Sequence, residues 1–332
     1  MPNLPIPRFG RSARSRGDVA SAPTGPEPTK VETVEVGGLR WINIDRPRPH
    51  DREWLEERFN FHQLDYEDVF SHNQRAKLDE YEEYLFIVLH FPRFDKAVGR
   101  LNGAELDLFV GPDFLITLPN KTIAPLEYLF DRCRSSPEVA EQYFGKGPGY
   151  LLYKIVDTCV DASFPMLRKM ANKLDRIEEE IFSGRSEEVV RDISNVKQEI
   201  INFRKIVRPQ QAVFTDLERS EHEYISGDLD IYFDDINDAS ERIWQMLDGY
   251  KETVEALETT NESVINHRVN DILRVLTSIT VIVLPMTLIA SIWGMNVSVP
   301  GVDDQTGFWA ILGAMFALLV AMLGYFRYRK WL

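Results

Sequence analysis

The sequence predicts an α+β domain joined by one very long stalk helix to two C-terminal membrane-spanning helices. Three observations carry that class. Two uncharged apolar runs, Val275 to Trp293 and Phe308 to Phe326, each match the length of helix that crosses a bilayer core. From Asp228 to Leu284 there is no proline and a single glycine, Gly249, so helix potential runs unbroken into the first of these segments. Ahead of them, between Val31 and Pro119, short apolar runs alternate with turn residues in the manner of strands.

Residues 1–30 are rich in Pro, Arg, Ser and Gly and hold no apolar run of signal-peptide type. They read as a disordered basic tail with Arg8, Arg11, Arg14 and Arg16 in solvent. Residues 31–145 read as the α+β domain. VETVEV and LRWINI are strands about a Gly37-Gly38 turn, and DREWLEERFN and LDYEDVF are short helices. YLFIVLHF is a buried strand, and ELDLFVGPDFLITLP is two strands meeting at Gly111-Pro112-Asp113. Over residues 146–227 the periodicity turns helical. One helix is expected from Tyr150 to Ser183, stopped by Gly184, and a second from Glu187 to about Val207, ended near Pro209, the two forming an antiparallel hairpin. Residues 228–296 form the stalk and first span, roughly 85 Å of helix as far as Leu284 at 1.5 Å per residue. Residues 297–306 are a short outer loop, 307–326 the second span and 327–332 a basic end.

The 52 acidic residues against 38 basic ones leave a net charge of −14, which speaks against nucleic acid as a partner, since phosphate contacts need clustered Lys and Arg. The two cysteines, Cys133 and Cys159, show no ligand-like spacing, which excludes a disulfide framework and a thiolate zinc site and suits a reducing compartment. There is no Walker loop, GxSxG, HExxH or dinucleotide fingerprint, so no enzyme is expected. Basic residues flank the spans on one side, Arg268 and Arg274 before the first and Arg327, Arg329 and Lys330 after the second. The loop between them carries only Asp303 and Asp304. By the positive-inside rule both termini lie in the cytoplasm of a multi-pass protein of the cell membrane.

Two spans cannot enclose an aqueous path, so transport would require an oligomer. The first span carries a seam at Asn270, Leu273, Thr277, Thr280, Leu284, Thr287, Ser291 and Gly294, a strict alternation of three and four residues that places them on one helix face. Its hydroxyls either wet a pore or tie helices together by hydrogen bonds. No charge lies inside either span, which argues against a proton relay and fits an ion that crosses with its water. Mg²⁺ sheds water reluctantly. An inside-negative potential would drive a +2 ion with about 4.6 kcal/mol per 100 mV.

At the end of this span stand Trp293-Gly294-Met295-Asn296. Leu-Pro-Met-Thr-Leu-Ile-Ala (Leu284 to Ala290) precedes them, and the chain closes on Lys330-Trp331-Leu332. In the first domain, Glu67-Asp68 is followed by Gln74-Arg75-Ala76-Lys77. This set resembles the CorA family of Mg²⁺ transporters, with Ala76 in place of the family's usual proline. The resemblance implies a funnel-shaped homopentamer embedded in the lipid bilayer. It implies Gly294, Met295 and Asn296 at the outer mouth and Asn270 near the cytoplasmic mouth. Leu276, Thr277, Thr280, Leu284 and Thr287 would line the passage, with Leu276 and Leu284 as hydrophobic gates. It further implies intracellular Mg²⁺ as a regulator as well as cargo, held between subunits by Glu67, Asp68 and Asp235, with Asp234 as a substitute for the last. These acids also fit plain solvated helix faces.

The loop after Asn296 departs from the family. It continues Val-Ser-Val-Pro-Gly-Val, and its acids come only at Asp303 and Asp304. Two other readings remain. A Zn²⁺ transporter, or one for Co²⁺ or Ni²⁺, would share the architecture. Met295 favours Mg²⁺, and the six histidines (His50, His62, His72, His90, His222, His267) form no soft-metal cluster in sequence. A membrane-anchored signalling scaffold would explain the stalk but not the hydroxylic seam.

Overall fold

A computed structural model describes residues 30–71, 74–95, 100–183, 186–225, 229–295 and 305–329. Strands β1 (Val31–Val36) and β2 (Leu39–Ile44) form a hairpin, and Gly37 and Gly38 turn it at φ of 60° and 88°, values that favour glycine. Helices α1 (Pro49–Glu56) and α2 (Gln63–Ser71) follow. Strands β3 (Lys77–Glu80), β4 (Leu85–Asp95), β5 (Arg100–Val110) and β6 (Phe114–Pro119) complete a six-stranded sheet of order β1-β2-β6-β5-β4-β3. β2 and β6 pair in parallel, and the other pairs are antiparallel.

The central strands are buried on both faces, which is why they read as continuous apolar runs. Alternate residues point to opposite layers. Trp41, Leu85, Ile87, Leu89, Leu106 and Leu108 join the core built with α3 (Ala124–Ser135), α4 (Pro137–Phe144), α5 (Pro148–Asp161), α6 (Ser163–Ile181), α7 (Ser186–Arg219) and α8 (Asp230–Trp293). Ile42, Ile44, Phe86, Val88, Phe109 and Ile116 face the smaller layer of α1 and α2. Helix α9 (Gln305–Tyr328) stands against the far end of α8.

The expected α+β domain, long stalk and two apolar C-terminal helices are all present. The helical region differs from expectation in two places. The single helix expected from Tyr150 to Ser183 is broken at Ala162 into α5 and α6. Pro165 sits four residues after Asp161, and its ring would strike the Asp161 carbonyl in a continuous helix, so the chain restarts there. The second helix does not end near Pro209; α7 runs through it to Arg219. Pro209 is exposed, so water reaches the backbone it leaves unpaired, while the Gln210 side chain donates from Nε2 to the Ile206 carbonyl at 3.1 Å. Buried Val213, Phe214 and Leu217 beyond the proline hold the helix on course. β3 was not anticipated, because its residues are charged and only half buried.

One buried acid costs the domain stability. Asp107 on β5 is 1% exposed, and its Oδ1 has no hydrogen-bond partner. Burial, followed by the charges of Glu105 and Asp68, pushes its pKa well above 3.8. The native state therefore binds the proton more tightly than the unfolded chain does. The stability this brings is complete below pH 3.8 and gone once pH has risen through the native pKa. Asp107→Asn is expected to be more stable than wild type at pH 7 by about 1–3 kcal/mol, seen as a raised melting temperature in detergent. A lower melting temperature at pH 7 would refute this account.

Candidate functional site

The seam is built by helix–helix packing at the end of α8. α9 packs against α8, and there Ser278 and Ile282 of α8 and Phe326 of α9 are buried. At 100° per residue the seam lies on the opposite side of α8 from Ser278 and Ile282. Asn270, Leu273, Leu276, Thr277, Thr280, Leu284, Thr287, Ser291, Gly294 and Met295 are all exposed in the single chain. α9 therefore leaves the whole seam uncovered.

Two hydroxyls on that face, those of Thr280 and Thr287, have a fixed polarity. Thr280 Oγ1 donates to the Leu276 carbonyl at 2.9 Å, and Thr287 Oγ1 donates to the Val283 carbonyl at 3.0 Å. With the proton committed to the helix, the remaining lone pairs can only accept. The water shell of a cation points its hydrogens outward, so an acceptor-lined face suits a hydrated cation. Pro285 lies inside α8 at this depth. The helix closes at Gly294, whose N–H bonds to the Ala290 carbonyl at 2.9 Å. Asn296 lies outside the described residues, as do Asp303 and Asp304.

The acids expected to sense metal sit in two places. Glu67 and Asp68 lie on α2, in the small layer, and Asp235 lies on the first turns of α8, which packs in the large one. Glu67 and Asp235 are exposed, as is Asp234. Asp68 is already paired, with its Oδ2 at 2.7 Å from Lys77 Nζ; Lys77 also holds Asp79. The Glu-Asp and Gln-Arg-Ala-Lys stretches are thus two halves of one ion pair. Lys77 competes with any metal for Asp68.

Asp235 has neighbours that the sequence pattern did not reveal. Asp157 and Asp161 on α5 act on one another and with it. Burial, then the charges of Asp157 and Asp235, raise the Asp161 pKa, and Lys154 and Arg242 only partly offset this. Asp157 is paired with Lys154, whose Nζ stands 3.0 Å from its Oδ2, and the carboxylates of Asp161 and Asp235 offer the oxygen donors a hard cation takes. Within one chain, no three such side chains come together to hold a metal among the described residues. The cluster is at most part of a site.

Comparison with known proteins places the fold in a family. The profile of the CorA-like Mg²⁺ transporter protein family matches residues 36–329. The chain is 29% identical over 310 residues to the cobalt/magnesium transport protein CorA of Thermotoga maritima, covering 92% of this chain and 88% of that one. It is 22% identical to the divalent cation transporter CmaX of Pseudomonas aeruginosa, covering 88% and 87%. The solved structure of the CorA magnesium transporter from Methanocaldococcus jannaschii superposes with a TM-score of 0.78 at 21% identity, over 89% of this chain and 92% of that chain. Here, as there, the fold includes a sheet domain, a long helix and two apolar helices. With a match that runs from the last residue of β1 to the end of α9, this chain belongs to the CorA-like Mg²⁺ transporter family, and α8 and α9 are its membrane-spanning helices.

Proposed function

We propose that five copies of this chain assemble around the α8 seam and pass hydrated Mg²⁺ into the cell down the membrane potential. Co²⁺ and Ni²⁺ would be secondary cargo. The observation that carries this reading is the seam itself: one uncharged face of α8, left bare by α9, on which the Thr280 and Thr287 oxygens are free only to accept. In a ring of helices that face turns inward, with Asn270 at the inner mouth and Gly294, Met295 and Asn296 at the outer one. Leu276 and Leu284 narrow the passage between polar rings. The sheet domain and both termini lie in the cytoplasm, in keeping with the basic flanks of the spans.

Mg²⁺ in the cytoplasm closes the channel in this reading. Asp235, with Asp157 and Asp161 beside it, offers carboxylates to an ion whose remaining donors come from an adjacent subunit, where Glu67 and Asp68 stand. A bound Mg²⁺ removes the repulsion among these acids and holds the subunits together. Asp235→Ala is expected to raise the internal Mg²⁺ needed for half closure by about tenfold and leave the maximal influx alone. Titrating internal Mg²⁺ against flux reads this directly, and an unchanged midpoint counts against the site.

The deciding measurement is Mg²⁺ influx into proteoliposomes that contain an Mg²⁺ dye, under an imposed inside-negative potential. Uptake that grows with the potential is the expected result. If the protein passes no Mg²⁺ at low internal Mg²⁺ and instead moves Zn²⁺ under a pH gradient, the zinc-transporter reading replaces this one.

A further inference from the structure

The two halves of the expected metal-sensing set sit on α2 and α8, in different layers of the fold. The described contacts contain a path between them. It runs through the turn that joins β3 to β4, Tyr81 to Tyr84, which is closed by the Tyr81 N–H bonding to the Tyr84 carbonyl at 2.9 Å. On one side this turn is tied to α2. Asp65, 1% exposed, accepts the Tyr84 hydroxyl at 2.6 Å and the Tyr81 hydroxyl at 3.1 Å.

On its other side the turn is tied to the connection between α7 and α8. His222 Nε2 stands 2.9 Å from the Tyr81 carbonyl, so Nε2 carries the proton and donates it there. Ser220 Oγ donates to Glu80 Oε1 at 2.7 Å, and the Tyr224 hydroxyl donates to the Glu83 carbonyl at 3.3 Å. These three side chains grip one turn within a span of five residues. The connection is itself immobilised. Ile225 is fully buried in the core that α8 shares. The Tyr224 carbonyl also lies so close to Gly149 of α5 that a Cβ there would stand 1.9 Å away. Asp230, the first residue of α8, follows a few positions later.

We propose that this connection is a clasp that carries the state of the α2 face to the start of the pore helix, with His222 as its positioning residue. The clasp works because none of its three parts can move alone. A shift of α2 drags the turn through Asp65, the turn drags residues 220–225 through Tyr81 and His222, and Tyr224 and Leu229, the residue before α8, close on the same Gly149 of α5. The proposal rests on the gating reading above for its functional consequence and on the contacts alone for its mechanical one.

The test uses the full-length protein in proteoliposomes and compares wild type with His222→Ala and His222→Gln. A glutamine amide places a donor close to where Nε2 stood and can restore the bond to the Tyr81 carbonyl. His222→Ala is expected to shift the internal Mg²⁺ for half closure upward by up to about tenfold, the ceiling set by the net worth of one hydrogen bond. Its maximal influx is expected to stay unchanged, and His222→Gln is expected to behave as wild type. Hydrogen exchange on the same samples should show residues 81–84 and 229–236 exchanging faster together in His222→Ala. An unshifted midpoint in His222→Ala overturns the proposal, as does equal impairment in both variants, since that would make the role one of bulk rather than of the donor. If wild type itself ignores internal Mg²⁺, it is the gating reading that falls. The clasp is then decided by exchange alone, and a turn that loosens without the helix start refutes it.

Discussion

Asn296→Ala is expected to lower Mg²⁺ influx by roughly a hundredfold or more while the assembled protein stays intact. The seam of α8 ends at the Gly294 cap, and Asn296 follows two residues later. Every other side chain from Ile292 to Val297 is apolar or absent, so this amide is the one strong polar group the segment supplies. Its carbonyl oxygen can accept from the water shell of an ion, and a methyl group cannot. In an oligomer the loss is repeated in every copy. In the five-fold assembly proposed above, five bonds at a net 0.5 kcal/mol each, the low end for one hydrogen bond, would amount to about 2.5 kcal/mol on the barrier, and 1.4 kcal/mol is tenfold. Flux under an imposed potential measures the loss, and native mass spectrometry checks the assembly. A variant that retains half of the wild-type influx would remove Asn296 from the mouth.

Trp41→Ala should be the most damaging single change to the sheet domain, at about 3–5 kcal/mol. Trp41 is fully buried on β2, on the face that meets the helices, and packs edge-on against Phe130 of α3 with ring centroids 4.9 Å apart. Its indole N–H donates to Thr117 Oγ1 at 3.1 Å on β6, across the parallel pairing. Truncation leaves a cavity at the junction of β2, β6 and α3. Thr117 keeps its bond to Asn43 Oδ1 at 2.8 Å, so most of the loss is in packing. Trp41→Phe, which refills much of the volume, should recover more than half of it. Thermal unfolding in detergent compares the two, and equal damage from both would place the weight on the hydrogen bond instead.

The parts of this fold that depend on local pattern were legible in the sequence. Gly37-Gly38 marks a hairpin because only glycine takes its positive φ cheaply. The long α8 shows because 57 residues from Asp228 to Leu284 hold no proline and one glycine, a signal that needs no distant partner. What escaped depends on partners distant in sequence. β3 is a strand because its backbone pairs with β4, which its charged, partly exposed side chains do not announce. Asp157 and Asp161 come within electrostatic reach of Asp235 only once α5 packs on α8. His222 looked like one of six scattered histidines until the fold brought it to Tyr81. The prolines misled in opposite ways. Pro209 did not end α7, because the Lys205 carbonyl it frees is on an exposed residue that water reaches and Val213, Phe214 and Leu217 beyond it are buried, while Pro165 broke a helix that apolar spacing made look continuous.

The unbroken course of α8 has a mechanical consequence. Its side facing the bundle stays packed on the core as far as Val264, and beyond that point it runs alone to the membrane. Val264 is thus a natural fulcrum. From there to Asp235 the rod measures about 44 Å, and from there to Thr280 about 24 Å, at 1.5 Å per residue. The packed length can turn about that point only together with the core it is packed on, and a rod held so trades distance for force. A push at the acidic end reaches Thr280 nearly doubled in strength and nearly halved in travel. In the gating proposed above, such a ratio would let the modest attraction of a few carboxylates for one ion close a ring of α8 helices against the water inside it, and would shield the aperture from small jostling of the sheet domain.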